Sequence, residues 1–225
     1  MIAVLGDVHE LLDEMRDVVD ALPRNVRAVI QVGDLWAWPP APPHGAGADL
    51  PPAPSDPRFR WRRLPRPIYY LDGNHHLYPL TRGVTRPTEV APGLAYLPRG
   101  TVLTLPGLGG PCRVGVLGGA DSVLDRAFRR PGTDWWPQEE RVTTADVDHL
   151  VANARLAGGV DLLITHTPPG CVTQAMTGRA PHPSAVLVEQ AWRALGGPEC
   201  VSGHMHQSAR VGGCQVLAML EVTYR

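Results

Sequence analysis

The sequence predicts an α/β fold with helices packed on sheet, and three observations lead there. Short segments rich in Val, Ile, Leu and Tyr recur along the chain, most of them closed by Gly, Asp or Asn as buried strands often are. Segments with helical periodicity lie between them. Strands that alternate with helices favour layers of helices on a sheet over all-α or all-β packing.

The first strand is expected at 1–5. A helix follows, because Leu11, Leu12, Met15, Val18, Val19 and Leu22 repeat at helical spacing with acidic residues on the other face. Further strands are expected at 26–32, 68–72, 113–118, 160–165 and 199–202. A second helix begins near Thr144, with Val147, Leu150, Val151 and Ala154 on one stripe and Thr143 and Asp146 as a capping pair. A third follows Ser184 as N-cap and turns Leu187, Val188, Ala191 and Leu195 inward. The stretch 209–224 reads as two more strands, around Gly212-Gly213 and Met219.

One segment has no such pattern. Pro39 to Pro67 holds ten prolines, which remove backbone donors and fix φ, so no core element is expected there. It reads as a long surface loop or lid within a single domain spanning 1–225. Its second half, Arg58-Phe59-Arg60-Trp61-Arg62-Arg63 and on to Arg66, interleaves basic and aromatic residues. That pattern suits phosphate attraction and base stacking, which makes a nucleic acid or nucleotide a candidate partner. It suits a solvated loop equally well.

Composition narrows the function. The chain has 225 residues, 44% hydrophobic and 19% charged, ordinary values for a globular protein. No apolar run approaches the roughly 20 residues that span a bilayer, so no membrane partner is expected. The N-terminus lacks a basic region followed by a long apolar core, and the expected location is cytoplasmic. A net charge of −1 argues against a protein that coats nucleic acid non-specifically, since that binding needs a broad cationic surface. Cys112, Cys171, Cys200 and Cys214 show no CxxC pairing and read as small core residues.

The residues that carry chemistry fall where expected strands end. Strand 1–5 runs into Gly6-Asp7-Val8-His9, and 26–32 into Gly33-Asp34. Strand 68–72 runs into Gly73-Asn74-His75-His76, 160–165 into His166, and 199–202 into Gly203-His204-Met205-His206. Side chains at the carboxyl ends of strands are a recurrent site geometry in α/β folds. Two carboxylates, an amide oxygen and several imidazoles form a mixed O/N donor set. It suits divalent Mn, Fe, Zn or Ni better than a thiolate or all-oxygen site would. The D-x-H and H-x-H spacings put alternate side chains on one side of an extended segment.

Asp7-x-His9, Gly33-Asp34, Gly73-Asn74-His75, His166 and Gly203-His204-x-His206, in that order, resemble the five motifs of calcineurin-like metallophosphoesterases. Gly118-Gly119-Ala120, Ser122, Asp125-Arg126 and Trp135-Trp136-Pro137 resemble segments of the small bacterial and phage-type members. The resemblance implies a four-layer α/β/β/α sandwich and metal-dependent hydrolysis of phosphate esters. It implies one ion on Asp7, His9, Asp34 and His206, and a second on Asp34, Asn74, His166 and His204, with Asp34 bridging and Mn the first choice. It also implies a bridging hydroxide as nucleophile and His75 as general acid.

The pattern departs from the serine/threonine protein phosphatases, whose GD motif continues as GDxxDRG. Here the run is Gly33-Asp34-Leu35-Trp36-Ala37-Trp38-Pro39, without the Asp that orients the catalytic histidine or the Arg that holds phosphate. Asp125-Arg126, with Arg129 or Arg130, are the candidate substitutes. The favoured reading is therefore a phosphatase or phosphodiesterase for small or nucleotide-type substrates. A protein phosphatase is the runner-up, and a scaffold that keeps the fold without catalysis is the third. His76 is expected to pack or hydrogen-bond beside the site. His44, His149 and His182 are expected to face solvent, Trp135 and Trp136 to anchor packing, and Asp121 and Ser122 to shape a turn.

Overall fold

A computed structural model describes residues 1–9, 11–35 and 66–225. The proline-rich stretch and the arginine run therefore lie outside the described residues except at Arg66 and Pro67, as does His44. In chain order the elements are β1 (Ile2–Leu5), α1 (Leu12–Ala21), β2 (Ala28–Gln31), β3 (Ile68–Tyr70), α2 (Tyr78–Thr81), β4 (Thr88–Ala91), β5 (Leu94–Tyr96), β6 (Val102–Gly107) and β7 (Gly110–Leu117). A 3₁₀ turn (Arg126–Phe128) leads to α3 (Thr144–Leu156), β8 (Leu162–Thr165), α4 (Gly170–Thr177), α5 (Pro183–Ala194), β9 (Glu199–Ser202), β10 (Ala209–Val211), β11 (Cys214–Val216) and β12 (Val222–Tyr224).

The strands form two six-stranded sheets, ordered β12-β1-β2-β3-β5-β4 and β10-β11-β9-β8-β7-β6. Each has four parallel strands in the middle and an antiparallel strand at either edge. Period-two alternation sorts their side chains into layers. Ile2, Val4, Ala28 and Ile30 of the first sheet meet Val114, Val116, Leu162, Ile164 and Val201 of the second in a core between the sheets. The alternate residues Ala3, Leu5 and Val29 face outward onto Met15 and Val19 of α1. On the far side, Leu117, Leu163, Cys200 and Cys214 pack with Val147 and Leu150 of α3 and Val188 and Ala191 of α5. The order of layers is thus helix, sheet, sheet, helices: the four-layer α/β/β/α sandwich.

The helix ends follow local chemistry. Thr143 caps α3 through a complete capping box, with Asp146 N–H donating to Thr143 Oγ1 at 3.2 Å and Thr143 N–H to Asp146 Oδ2 at 2.8 Å. Arg66 donates to the carbonyls of Val19 and Leu22, at 3.0 Å each, and so satisfies acceptors at the end of α1. Ser184 is not the N-cap of α5: His182 takes that place, and the Ser184 hydroxyl accepts the N–H of Val142 at 3.1 Å.

Several elements escape sequence reading. Pro106 lies inside β6, which an edge strand tolerates because one row of its backbone groups is unpaired. The hairpin β4–β5 is too short for a periodic signal, and α4 begins behind Pro168-Pro169. The segment 209–224 holds three strands, not two, because it closes both sheets: β12 pairs with β1, and β11 with β9.

Candidate metal centre

Asp7 follows β1, Asp34 follows β2, Asn74 and His75 follow β3, His166 follows β8, and His204 and His206 follow β9. Neighbouring parallel strands therefore deliver the residues in two groups, one from each sheet. Backbone bonds tie these turns together. The carbonyl of Asp34 accepts from Val8 N–H at 3.1 Å and His9 N–H at 2.9 Å, and Gly203 N–H donates to His166 O at 2.9 Å. Leu220 N–H donates to Asp7 O at 3.0 Å. Buried Gln31 staples the first two motifs, its amide donating to the carbonyls of Gly6 and Gly33 while its oxygen accepts Gly33 N–H at 3.1 Å.

The backbone is strained where the candidate ligands sit. Among the described residues, five non-glycines have φ in the left-handed region, and four are site residues: His9 (+46°), Asp34 (+53°), His204 (+67°) and His206 (+52°). Such conformations cost on the order of 1–3 kcal/mol each and persist where the surroundings enforce them. Gly203 is required by close approach, since a Cβ there would collide with the Asp7 carboxylate. At Gly73 a Cβ would strike Asp34 Oδ1 and His166 Nε2.

The side chains converge on Asp7 and Asp34, both fully buried or nearly so. His206 Nε2 is 3.2 Å from Asp7 Oδ2 and 2.9 Å from His9 Nε2. His9 Nε2 stands 3.7 Å from both Asp7 Oδ2 and Asp34 Oδ2. His166 Nε2 lies 3.2 Å from Asp34 Oδ2 and 3.3 Å from Asn74 Oδ1, and its ring is 5.0 Å from that of His204. Three clusters with ligand atoms mutually within 4.8 Å result: Asp7, His9 and His206; Asp34, His166 and His204; and His9, Asp34 and His75.

This donor set fits divalent metal ions. The sequence contains no lysine, and the ion pairs of Asp7 and Asp34 are with imidazoles alone among the described residues. Two buried carboxylates without a guanidinium create a strong negative field. Burial alone would lower His166, but Asp34 and Asp7 push it up to about 9. Burial would likewise raise Asp7, yet His166, His206 and His9 hold it at about 2. Asp34 is held well below the carboxylate range, against burial, by His166, His75 and His9. Burial and the neighbouring His166 keep His204 at about 4, a neutral imidazole ready to ligate. His166 Nδ1 donates to Val32 O at 3.0 Å, which leaves Nε2 as its ligand atom.

Around this cluster lies a second ring of contacts. His75 Nε2 is 3.2 Å from Asp125 Oδ2, and the hydrogen bond from His75 lowers the Asp125 carboxyl. Arg126 is exposed on the 3₁₀ turn; the arginine that touches site residues is Arg129, which donates to Asn74 O at 3.0 Å and Ser122 Oγ at 2.8 Å. His76 is buried and bonds Thr81 Oγ1 at 2.8 Å. Trp136 packs with Leu77 and Tyr78, and His149 and His182 are exposed. Asp121 accepts Ser184 N–H at 2.8 Å. Sequence reading missed three residues here. Asp72 is fully buried against Arg99 at 2.6 Å, and Glu140 accepts from Ser122 and Trp135. Only the place of Asp72 directly before Gly73 hinted at a role.

The sequence matches the family model of the calcineurin-like phosphoesterases over residues 1–208, a span that takes in every cluster residue. The chain belongs to this family. No curated protein matches it. Membership in the calcineurin-like phosphoesterases assigns metal-dependent phosphoester hydrolysis as the family chemistry, and the Asp/His clusters are the candidate metal sites. Among the described residues no helix is long and apolar enough to cross a membrane.

Proposed function

We propose that this calcineurin-like phosphoesterase hydrolyses phosphate esters of small or nucleotide-type substrates with two divalent ions, Mn foremost. Asp7, His9, Asp34 and His206 would hold one ion, and Asp34, Asn74, His166 and His204 the other. The observation that carries this reading is the sharing of Asp34 between ligand clusters, with His75 in the same grouping. Bound ions would supply Lewis-acid polarisation of the phosphoryl oxygens and acidification of a water molecule.

The remaining work falls to the chain's own groups. His75 donates its backbone N–H to Asp34 Oδ1 at 2.8 Å, which fixes the acid relative to the shared ligand. Its Nε2 proton is committed to Asp125. Nδ1 is then the nitrogen that gives its proton to the leaving oxygen, a role imidazole suits near neutral pH. Arg126, exposed beside Asp125, meets the substrate phosphate from the solvent side. His206, His75 and Asp125 keep 47%, 23% and 34% of their side-chain surface exposed, so substrate approaches from their side of the cluster.

The test is turnover of p-nitrophenyl phosphate and bis-p-nitrophenyl phosphate with Mn²⁺, alongside metal analysis. His75→Asn should lose roughly 10²- to 10⁴-fold in kcat, the range of a positioned acid, with its metal content unchanged. Full metal occupancy without turnover of either ester would instead favour an inactive scaffold.

A further inference from the structure

An asparagine amide has two ends of nearly equal shape, and its oxygen is the end that ligates a cation. We propose that Ser122, fixed by Glu140 and Arg129, is the positioning residue that turns the Asn74 amide oxygen toward the ions. The proposal rests on Asn74 being a ligand, as argued above.

The hydroxyl of Ser122 has a single hydrogen to give. Serine offers one donor and two lone pairs. Ser122 Oγ donates to Glu140 Oε2 at 2.9 Å and accepts from Arg129 Nη1 at 2.8 Å. A carboxylate can only accept and a guanidinium can only donate, so both partners fix the direction of their bonds. One lone pair is left for Asn74, which must present its NH₂. That group lies 3.3 Å from Ser122 Oγ, and the opposite end, Oδ1, lies 3.3 Å from His166 Nε2.

The partners are themselves held in place. Glu140 is 1% exposed; it accepts Ser122 N–H and Trp135 Nε1–H, both at 2.9 Å. Arg129 keeps only 5% of its side-chain surface and donates to Asp134 O at 2.7 Å as well as to Asn74 O. The segment between β7 and α3 thus grips Asn74 by its backbone and by its amide. Ser122 and Trp135 acquire a shared purpose, which a turn residue and a packing anchor would not have.

The probe is Mn²⁺ alone, titrated calorimetrically into the metal-free full chain, with urea denaturation of each metal-free variant reporting on folding. Wild type should show two binding events. In Ser122→Ala one of them should weaken about 10- to 100-fold, the range for removing a ligand's outer partner, and the other should stay in place. Ser122→Thr keeps the hydroxyl and should restore the lost affinity. Glu140→Gln lets its amide donate to Ser122 and frees the hydroxyl hydrogen to face Asn74, so the same single event should weaken. Two unchanged events in both Ser122→Ala and Glu140→Gln would overturn the role of Ser122 alone. A wild-type chain that takes up no Mn²⁺ would overturn the ligand assignment and this proposal with it.

Discussion

His75 Nε2 and Asp125 Oδ2 lie 3.2 Å apart although one residue follows β3 and the other lies beyond β7 in the opposite sheet. The pair gives the candidate acid a carboxylate that the run after Gly33-Asp34 does not supply. Asp125→Asn should keep the metal content and KM of wild type and lower kcat, by at most the roughly 10²- to 10⁴-fold that a positioned acid contributes. Steady-state kinetics with metal analysis on the same sample checks this, and an unchanged kcat would remove Asp125 from the proton pathway.

Arg99 is the main cation beneath the GNH turn. It binds Asp72 through Nε at 2.8 Å and Nη2 at 2.6 Å, reaches Asp146 at 3.2 Å, and donates to the carbonyls of Glu139 and Glu140. Burial would raise the Asp72 carboxyl, but the field of Arg99 holds it low. Arg99→Met should cost about 3–5 kcal/mol, since it leaves a buried charge without its partner. Adding Asp72→Asn should cost less than the sum of the two single changes. Urea denaturation of the three variants measures the coupling.

His76 offers a pH test with a definite sign. It is 3% exposed, stacked on Tyr96 at 5.4 Å and edge-on to Tyr78 at 4.9 Å. Burial holds its imidazole down at about 4, against the opposing fields of Asp72 and Asp34. The unfolded chain takes up that proton at about 6.5, so His76 favours the folded state fully above that pH. The benefit declines as pH falls from there and is lost through about 4. In metal-free protein, His76→Gln should flatten the loss of stability between those two pH values by up to one proton's worth, about 1.4 kcal/mol per pH unit. Equal slopes for both proteins would contradict it.

Gly203→Ala separates metal binding from folding. The new methyl meets the Asp7 carboxylate, whose oxygens accept His204 N–H at 3.0 and 3.1 Å. Bound metal should fall in the variant while the far-ultraviolet circular dichroism stays that of wild type. Excess Mn²⁺ should also raise the Tm of wild type, by an amount equivalent to about 2.7 kcal/mol at a hundred times Kd, and leave the variant's Tm nearly unmoved.

The candidate ligands were legible in the sequence because each lies within a few residues of a strand end, where a short run of residue types reports the local geometry. Asp7, His9, Asp34, Asn74, His166, His204 and His206 all read this way. The sandwich core was legible too, because parallel strands covered on both faces read as short continuous apolar runs, as Ile2–Leu5 does. The outer contacts were not. Glu140 and Arg99 act through partners distant in sequence, and nothing local distinguishes them from surface charges. Gln31, a polar residue ending an apolar strand, gave no sign that it would staple two turns. Ser184 resembles an N-cap in composition, but its hydroxyl serves the chain before α3 instead of its own helix.

The edge strands bear on the order in which the site can be built. All seven candidate ligands have been synthesised once the ribosome passes His206. At that moment β1, which leads into Asp7, still lacks β12, and β9, which leads into His204, still lacks β11. The Leu220 N–H that pins the Asp7 carbonyl has not yet been made. A nascent chain ending there carries the donors without the frame that forces His9, Asp34, His204 and His206 into their left-handed turns. Residues 209–225 thereby complete the frame of the candidate metal centre, so a truncation placed after His206 should yield a chain that neither folds stably nor takes up added Mn²⁺.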